Sequence, residues 1–417
     1  MKNDFVREPA RHIPVRWSAN VVVAGGGIAG VAAALAAART GVSVLLLEDT
    51  CTLGGLATAG NVTVYLPIDD GCGRQVLGGI AKELLDLSVA DLRKPIPAAG
   101  FRDAPAVWRN PDSTREERAA GTRFETRFNP FSYAMALEAL LLKEGVHILY
   151  GTRVCDVAVS CAKITHLMVE NKSGRSAIAC KMVVDATGDA DICWMANEAT
   201  VSLDSNVACG WFYTVRDGGS LQLHASTHAF AKDATKNGAE GPFFRGDRAD
   251  DVTKQVLASR DIIRDHLAKM RAENPDEDVQ PFGIPSIPCF RMTRRIRGIV
   301  ELDESHMHRW FDDAVCLAPD WRRRGPVWSI PWRSLLPQTI NNVVTCGRCA
   351  SWSSSVWDTM RVIPVCAGTG EAAGIGAALA SRGRKSLAMM NIGRLLATLR
   401  ERGVILDRAL VEESPEG

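Results

Sequence analysis

The residues best suited to chemistry lie close to the N-terminus. Gly25-Gly26-Gly27-Ile28-Ala29-Gly30 follows the β-branched run NVVVA at 20–24 and opens the Ala-rich stretch VAAALAAARTG. A second apolar run, VSVLLL, then leads directly into Glu48. Each residue type has a task at this spacing. Gly25 permits a tight turn, Gly27 lets a pyrophosphate approach the backbone, and Gly30 lets a helix pack closely on a sheet. The helix start presents free N–H groups and the positive end of its dipole to phosphate. Glu48, 23 residues beyond Gly25, can accept hydrogen bonds from ribose hydroxyls, and its charge disfavours a 2′-phosphate. A lone glycine fingerprint is weak, because a glycine turn can simply pack a helix on a sheet. Here strand, turn, helix, strand and acid occur in order, and together they predict a dinucleotide site.

On the substrate side, Arg291, Arg294 and Arg295 in FRMTRRIRGIVEL stand out. Guanidinium groups can clamp a carboxylate bidentately or stabilise an enolate-like charge. Strand alternation would place Arg291 and Arg295 on one face and Arg294 on the other. A basic surface strand or an interdomain salt-bridge cluster accounts for them equally well. Arg294 and Arg291 are the expected substrate anchors, Arg361 has a similar standing, and no general base stands out. Cys346 and Cys349 form a CxxC that could be a redox pair or a coincidence of spacing. His306 and His308 in ESHMHRW lack further ligands, so no metal site is expected. Cys72 is as readily a packed thiol as a reactive one.

The elements that must position these groups follow from periodicity. GCGRQVLGGIAKELLDLS at 71–88 is a loop and an amphipathic helix, and 91–128 is an irregular insertion that could form a flap. Residues 131–144 form a helix, and three alternating stretches from His147 to Asp191 form a β-meander feeding a buried strand. From 196 to 330 the character changes, with helices expected at about 221–235 and 251–273 and strand-like pieces near 207–216 and 291–302. Six of the ten tryptophans lie between Trp310 and Trp357, as an aromatic wall over a flat substrate, core packing or an oligomer interface. NVVTC at 342–346 is another buried strand. Residues 361–381 form a helix weakened by Gly368, Gly370, Gly374 and Gly376 unless it packs closely on a cofactor or sheet.

Composition bounds the function classes. The 417 residues are 46% hydrophobic and 23% charged, ordinary for a globular chain of two or three domains. Forty-nine Lys and Arg balance 48 Asp and Glu, for a net charge of +1. That balance argues against a protein built to hold nucleic acid or an anionic membrane. Apolar runs are interrupted well before the roughly 20 residues of a membrane span, and MKNDFVREPARHIPVRW has no signal-peptide core. Twelve cysteines scattered through a long chain fit a reducing cytoplasm.

After Glu48, Gly54-Gly55 in LGGLATAG resembles the GG pair that follows the acidic residue in flavoproteins of the glutathione-reductase type, which favours FAD over NAD. Disulfide reductases of that fold carry a cysteine pair just after it, where this chain has Leu56-Ala57-Thr58-Ala59. VVDATGDADI, NNVVTCGRCAS and RVIPVCAGTGEAAGIGAALA, together with YLPIDDGCGRQVLGGIAKELL, complete the picture. Taken with the N-terminal block, they resemble the FAD-dependent oxidoreductase family within the group that includes fumarate reductase flavoproteins. The resemblance implies an α/β fold: a Rossmann-like FAD-binding domain, a parallel sheet with a β-meander, carrying an inserted α+β substrate or cap domain. The expected division is an N-terminal extension (1–18), the FAD domain in two parts (19–195 and 331–402), the cap (196–330) and a short acidic tail (403–417). It also implies that Gly25, Gly27, Gly30, Glu48, Gly54 and Gly55 hold the ADP half, with Val154 meeting adenine through its backbone. Ala186, Thr187 and Gly188 would run along the nucleotide, and Gly347, Arg348, Gly368 and Gly370 would face the ribityl chain and flavin.

The expected activity is hydride transfer between flavin N5 and a small organic substrate. With a single glycine fingerprint, electrons could pass to or from the substrate, a docked nicotinamide, a quinone or a protein carrier. A FAD-binding electron-transfer subunit and a tRNA-modifying flavoprotein are the rival classes. The chain could also form a homo-oligomer.

Overall fold

The computed structural model describes residues 6, 8–92, 100–227, 236, 238–383 and 386–413. Its main sheet has Val15–Ala24 near the centre, paired in parallel with Val44–Leu47 on one side and Gly174–Asp185 on the other. His147–Leu149 extends the sheet beyond Val44–Leu47. Gly174–Asp185 serves twice. Its first half pairs antiparallel with Lys163–Asn171, which pairs with Arg153–Ser160 to make the meander, and its second half pairs in parallel with Val343–Thr345. Asn342 closes that seam: its side chain accepts from the Ile164 N–H at 2.8 Å and donates to the Ile164 and Lys181 carbonyls at 2.8 and 3.0 Å. Val21, Val22 and Val23 are fully buried, as strands covered on both faces require. The first strand begins at Val15, so part of the expected extension belongs to the sheet.

Two helices pack face to face beside this sheet: Ile28–Arg39, which follows the glycine turn, and Ile363–Arg382. Their close approach explains the glycines of the second helix. A Cβ on Gly370 would lie 2.2 Å from the Ala29 carbonyl oxygen, one on Gly374 2.1 Å from that of Ala33, and one on Gly368 2.6 Å from the Cys316 sulfur. Gly368 and Gly370 were expected at the cofactor; in the fold their missing side chains admit helix on helix and helix on strand. Each glycine costs about 1 kcal/mol of helix propensity against alanine, and the dispersion attraction between the closely packed backbones offsets it. Among the described residues this helix alone is long and apolar enough to cross a membrane, and 89% of its most apolar window is buried inside the protein.

The inserted region carries a three-stranded antiparallel sheet, Ser220–Thr227, Cys209–Arg216 and Gln280–Gly283, with the helix Ala249–Glu273 across one face. Phe212, Ile263, Leu267, Met270 and Val279 form the core between them. The helix expected at 251–273 is present, but the one expected at 221–235 is not. Residues 220–227 are a strand, turned back by Asp217-Gly218-Gly219 with both glycines at positive φ, and 228–235 lie outside the described residues. Such a turn matches the twist of two antiparallel strands. The strand expected over 291–302 shrinks to Arg294–Ile296, paired with Thr200–Ser202.

Of the clustered tryptophans, Trp328, Trp332, Trp352 and Trp357 are buried in the main core, which selects core packing over an aromatic wall. The insertion is only partly irregular. It contains short helices at Ala106–Arg109 and Arg115–Ala120, and Trp108 stacks on Phe124 with ring centroids 5.1 Å apart; residues 93–99 are outside the described set. The expected tail is no loose fringe as far as residue 413. Val404, Leu410 and Val411 are buried, and the Gly403 carbonyl accepts from the Gly79 N–H at 2.9 Å.

Candidate flavin and substrate site

The glycine turn sits at the C-terminal end of the first strand. Gly25 has φ +102° and donates to the Leu47 carbonyl at 2.8 Å; a Cβ there would strike the Ala186 carbonyl oxygen at 2.4 Å. A Cβ on Gly30 would come within 1.8 Å of the Gly25 carbonyl oxygen. Gly27 differs: it is extended (φ −65°, ψ 175°), and a Cβ there would meet no atom within 4 Å. No side chain caps the helix it starts, so the first-turn N–H groups face open space. Gly54 donates from its N–H to the Gly26 carbonyl at 2.8 Å, and Gly55, at φ +56°, lies against the Gly27 Cα. Two backbone segments thus flank a space bordered by uncapped N–H groups, which fits a pyrophosphate.

Glu48 ends the second strand. Its carboxylate accepts from the Gly26 N–H at 2.8 Å and from the Thr50 N–H and hydroxyl at 2.8 and 2.6 Å. These bonds fix its orientation and leave lone pairs for ribose hydroxyls. The Thr152 N–H donates to the Glu48 carbonyl at 3.0 Å, which brings Val154, half-buried at the start of the meander, to the same end of the site.

The opposite end is built by the turn after the last parallel strand. Gly347 takes φ +70°, its N–H donates to the Thr369 hydroxyl at 3.1 Å, and a Cβ there would lie 2.9 Å from that of Ala29. The Trp352 indole donates to the Gly347 carbonyl at 2.9 Å and the Trp357 indole to the Arg348 carbonyl at 2.7 Å. Two of the buried tryptophans therefore hold this turn. Opposite it, Ala186 donates to the Ala24 carbonyl at 2.9 Å, Thr187 bonds the buried Asp185 at 2.7 Å, and Gly188 lies beneath the Arg348 guanidinium. Arg348 donates to the Gly188 carbonyl at 2.7 Å, to the Asp189 carboxylate at 2.9 Å and to the Phe290 carbonyl at 3.4 Å.

Burial pushes the thiols of Cys346, Cys349 and Cys366 up, and both CxxC sulfurs are free and enclosed. His306 bonds Asp303, and His308 bonds the Val411 carbonyl. No cluster of three metal-ligating side chains occurs among the described residues.

A model of the family described as FAD dependent oxidoreductase matches residues 20–207 and 231–400. The chain belongs to that family. Its fold is the Rossmann-like α/β flavoprotein fold, and FAD is its cofactor. Among solved structures, the oxidoreductase is similar to p-nitrophenol 4-monooxygenase from Pseudomonas putida (13% identity, 93% of this chain and 81% of that one, TM-score 0.44). It is also similar to 3-ketosteroid-delta4-(5alpha)-dehydrogenase from Rhodococcus jostii (16%, 87% and 97%, TM-score 0.38) and to THI4 from Thermovibrio ammonificans (17%, 43% and 62%, TM-score 0.30). The chain thus spans less than two thirds of THI4. At these identities the likeness is one of fold. No curated protein matches the chain.

The oxidoreductase treats its candidate arginines very differently. Arg294 is buried, donating to the Asp189 carbonyl at 2.8 Å and pairing with Asp191. Arg295, on the adjacent strand position, pairs with Glu301 at 2.7 Å and lies over Trp357. Arg291 precedes the strand, so simple alternation does not set its direction. It is half-buried over Trp211, 5.7 Å from the ring centroid, and among the described residues it makes no ion pair. Arg361, at the start of the long helix, pairs with Asp358. Burial lowers the Arg361 pKa first, and the nearby Arg291 charge lowers it further. Cys209, Trp211 and Tyr213 share one face of the cap strand, and the Tyr213 hydroxyl meets that of Thr63 at 2.8 Å. That face joins the cap to the segment after Gly54-Gly55. Sequence reasoning missed these residues, although the period-2 alternation of CGWFYTVR marks them.

Replacing Arg348 with methionine should leave Asp189 without its cation and two carbonyls without a donor. Arg348 and Asp189 side chains are 19% and 25% exposed, so the loss falls between that of exposed and fully buried pairs, about 2 kcal/mol. Thermal melts of the FAD-loaded protein should show the drop. The Asp189→Asn/Arg348→Met double variant should lose less than the two single losses added together.

Proposed function

We propose that this FAD-dependent oxidoreductase transfers a hydride between flavin N5 and a small organic acid whose carboxylate is held by Arg291. When bound, FAD supplies the two-electron chemistry at N5. The residues of the chain supply binding, orientation and charge. The observation that carries this reading is the contrast among the arginines: Arg294, Arg295, Arg348 and Arg361 have carboxylate partners, whereas Arg291 has none among the described residues. A guanidinium fork in that state pairs bidentately with a carboxylate that enters from outside. No side chain caps the start of the helix Ile363–Arg382, whose dipole adds positive potential there. Tyr213, whose hydroxyl is pushed up to about 12 by burial, stays protonated at neutral pH and serves as a donor rather than a base.

The test is anaerobic reduction of the FAD-loaded protein by a panel of small carboxylic acids and their methyl esters, followed at the flavin band. The acids should bleach the flavin and the esters should not. Arg291→Met should raise the acid concentration needed roughly 10- to 100-fold, the range of a lost charged hydrogen bond. Equal reduction by acids and esters, or an unchanged Arg291→Met variant, would overturn the carboxylate reading. Including NADH and NADPH identifies the electron partner in the same experiment.

A further inference from the structure

We propose that the helix Pro130–Lys143 is a pairing surface at which two copies of this chain associate about a two-fold axis. The helix, PFSYAMALEALLLK, is apolar on two sides. One side carries Tyr133, Leu137 and Leu141, which are buried in the main core. The helix packs against Ile28–Arg39 and Gly79–Ser88. The other side carries Phe131, Met135 and Leu142, which are 56%, 66% and 57% exposed. At 100° per residue these three fall within about 40° of one another around the helix axis. A surface helix is normally polar on the side away from the core, and a helix that is apolar on every side is normally enclosed. This one is apolar on both sides and covered on one.

The spacing of the exposed side matches a second helix. Positions 131, 135, 138 and 142 are four, three and four residues apart, the repeat by which paired helices interlock. A two-fold axis across the helix lays this seam antiparallel against its own copy. Phe131 then meets Leu142 of the partner subunit, and Met135 meets Glu138 of the partner subunit. Glu138 is the polar position of the seam. Its carboxylate accepts from the Tyr150 hydroxyl at 2.6 Å, so it keeps a partner when water leaves. One polar position in an apolar seam sets the register of the pair.

Area and charge select a second copy as the occupant. At about 200 Å² for a large apolar residue, the three exposures leave roughly 350 Å² of apolar surface per copy. The exposed Ala139 beside them adds to it. Each side of a standard interface covers about 800 Å², of which about 450 Å² is apolar, so this stripe supplies most of what a stable dimer needs. A lipid surface would call for Lys and Arg along the flanks of the helix. Here Lys143 is the one basic residue in the helix, with Glu138 inside it and Glu144 directly after it. The seam also reaches the inserted sheet, because a Cβ on Gly283 would lie 3.9 Å from the Phe131 ring and 3.9 Å from that of Tyr213.

The experiment is sedimentation equilibrium of the full-length FAD-loaded protein over a concentration series, with and without vesicles of anionic phospholipid. The expected result is a particle of twice the chain mass that leaves the vesicles unbound. Met135→Lys should raise the dimer dissociation constant at least about 100-fold, since a two-fold interface carries each substitution twice. Leu257→Lys, at a site 54% exposed on the helix Ala249–Glu273, should leave the mass unchanged. Both substitutions are at exposed positions, and flavin content and far-ultraviolet circular dichroism check that each variant is folded. A single-chain mass at every concentration would overturn the proposal, as would a dimer that persists unchanged in Met135→Lys. Binding of a single-chain species to vesicles would overturn it in favour of lipid. The wild-type mass depends on no variant, and none of these outcomes depends on which substrate the flavin serves.

Discussion

Gly27→Val should produce a folded protein that no longer retains FAD, whereas Gly30→Val should fail to fold. The two positions are three residues apart in one fingerprint, but their surroundings oppose each other. At Gly30 a Cβ would lie 1.8 Å from the Gly25 carbonyl oxygen, so any side chain drives the helix off the strand end, and overpacking at such a contact costs several kcal/mol. At Gly27 the backbone is extended and a Cβ meets nothing within 4 Å. Valine there strains nothing, and its main penalty is as a poorer helix N-cap, roughly 1 kcal/mol or less. Its methyl groups occupy the space into which the uncapped N–H groups point. Purified Gly27→Val should therefore melt within about 2 °C of the wild-type apoprotein and show flavin affinity reduced by at least about 100-fold, the loss of two or more charged hydrogen bonds. Absorbance per protein and a melt of the apoprotein measure both. A Gly27→Val protein with full flavin content would place the pyrophosphate elsewhere.

The frame of the candidate nucleotide site was legible in the sequence because its determinants are local. Strand, turn, helix and acid lie within residues 20–48, and each is set by short-range sterics that glycine and β-branched residues announce. The helix at Pro130–Lys143 was legible for the same reason, with Asn129 capping it through the Phe131 N–H at 2.9 Å. What escaped was tertiary. Residues 220–227 look helical when Leu and Gln are counted, and only the Asp-Gly-Gly turn, folding them onto Cys209–Arg216, makes them a strand. The arginines at 291, 294 and 295 are equivalent in sequence; their difference lies in Asp191 and Glu301, which the fold brings to two of them. The adjacent Cys346 and Cys349, which spacing does single out, are enclosed by the core.

Glu371 should make the stability of the protein fall as pH rises from about 4.5 to 7, and Glu371→Gln should remove that slope. The residue lies inside the helix Ile363–Arg382, 1% exposed, where its carboxyl accepts the Ile80 N–H at 2.8 Å at the start of the helix Gly79–Ser88. Its other oxygen is buried without a partner. Burial raises its pKa to about 7, against the opposing pull of the Ile80 N–H and Arg402. The folded chain thus holds a proton that the unfolded chain has released above the ordinary glutamate range. Between about pH 4.5 and 7 the folded state binds more protons than the unfolded one, so unfolding free energy declines as pH rises. The stabilisation is complete below pH 4.5 and gone above 7, a difference of about 3 kcal/mol. Glutamine can still accept from Ile80 through its carbonyl oxygen and has no proton to lose. The variant should match the wild type near pH 4.5 and melt about 3–4 °C above it at pH 8, by the entropy of unfolding expected for a chain of this length. Equal melting temperatures at pH 8 would mean that Glu371 ionises freely in the folded protein. The helix Ile363–Arg382 would then be anchored to Gly79–Ser88 by a charged cap.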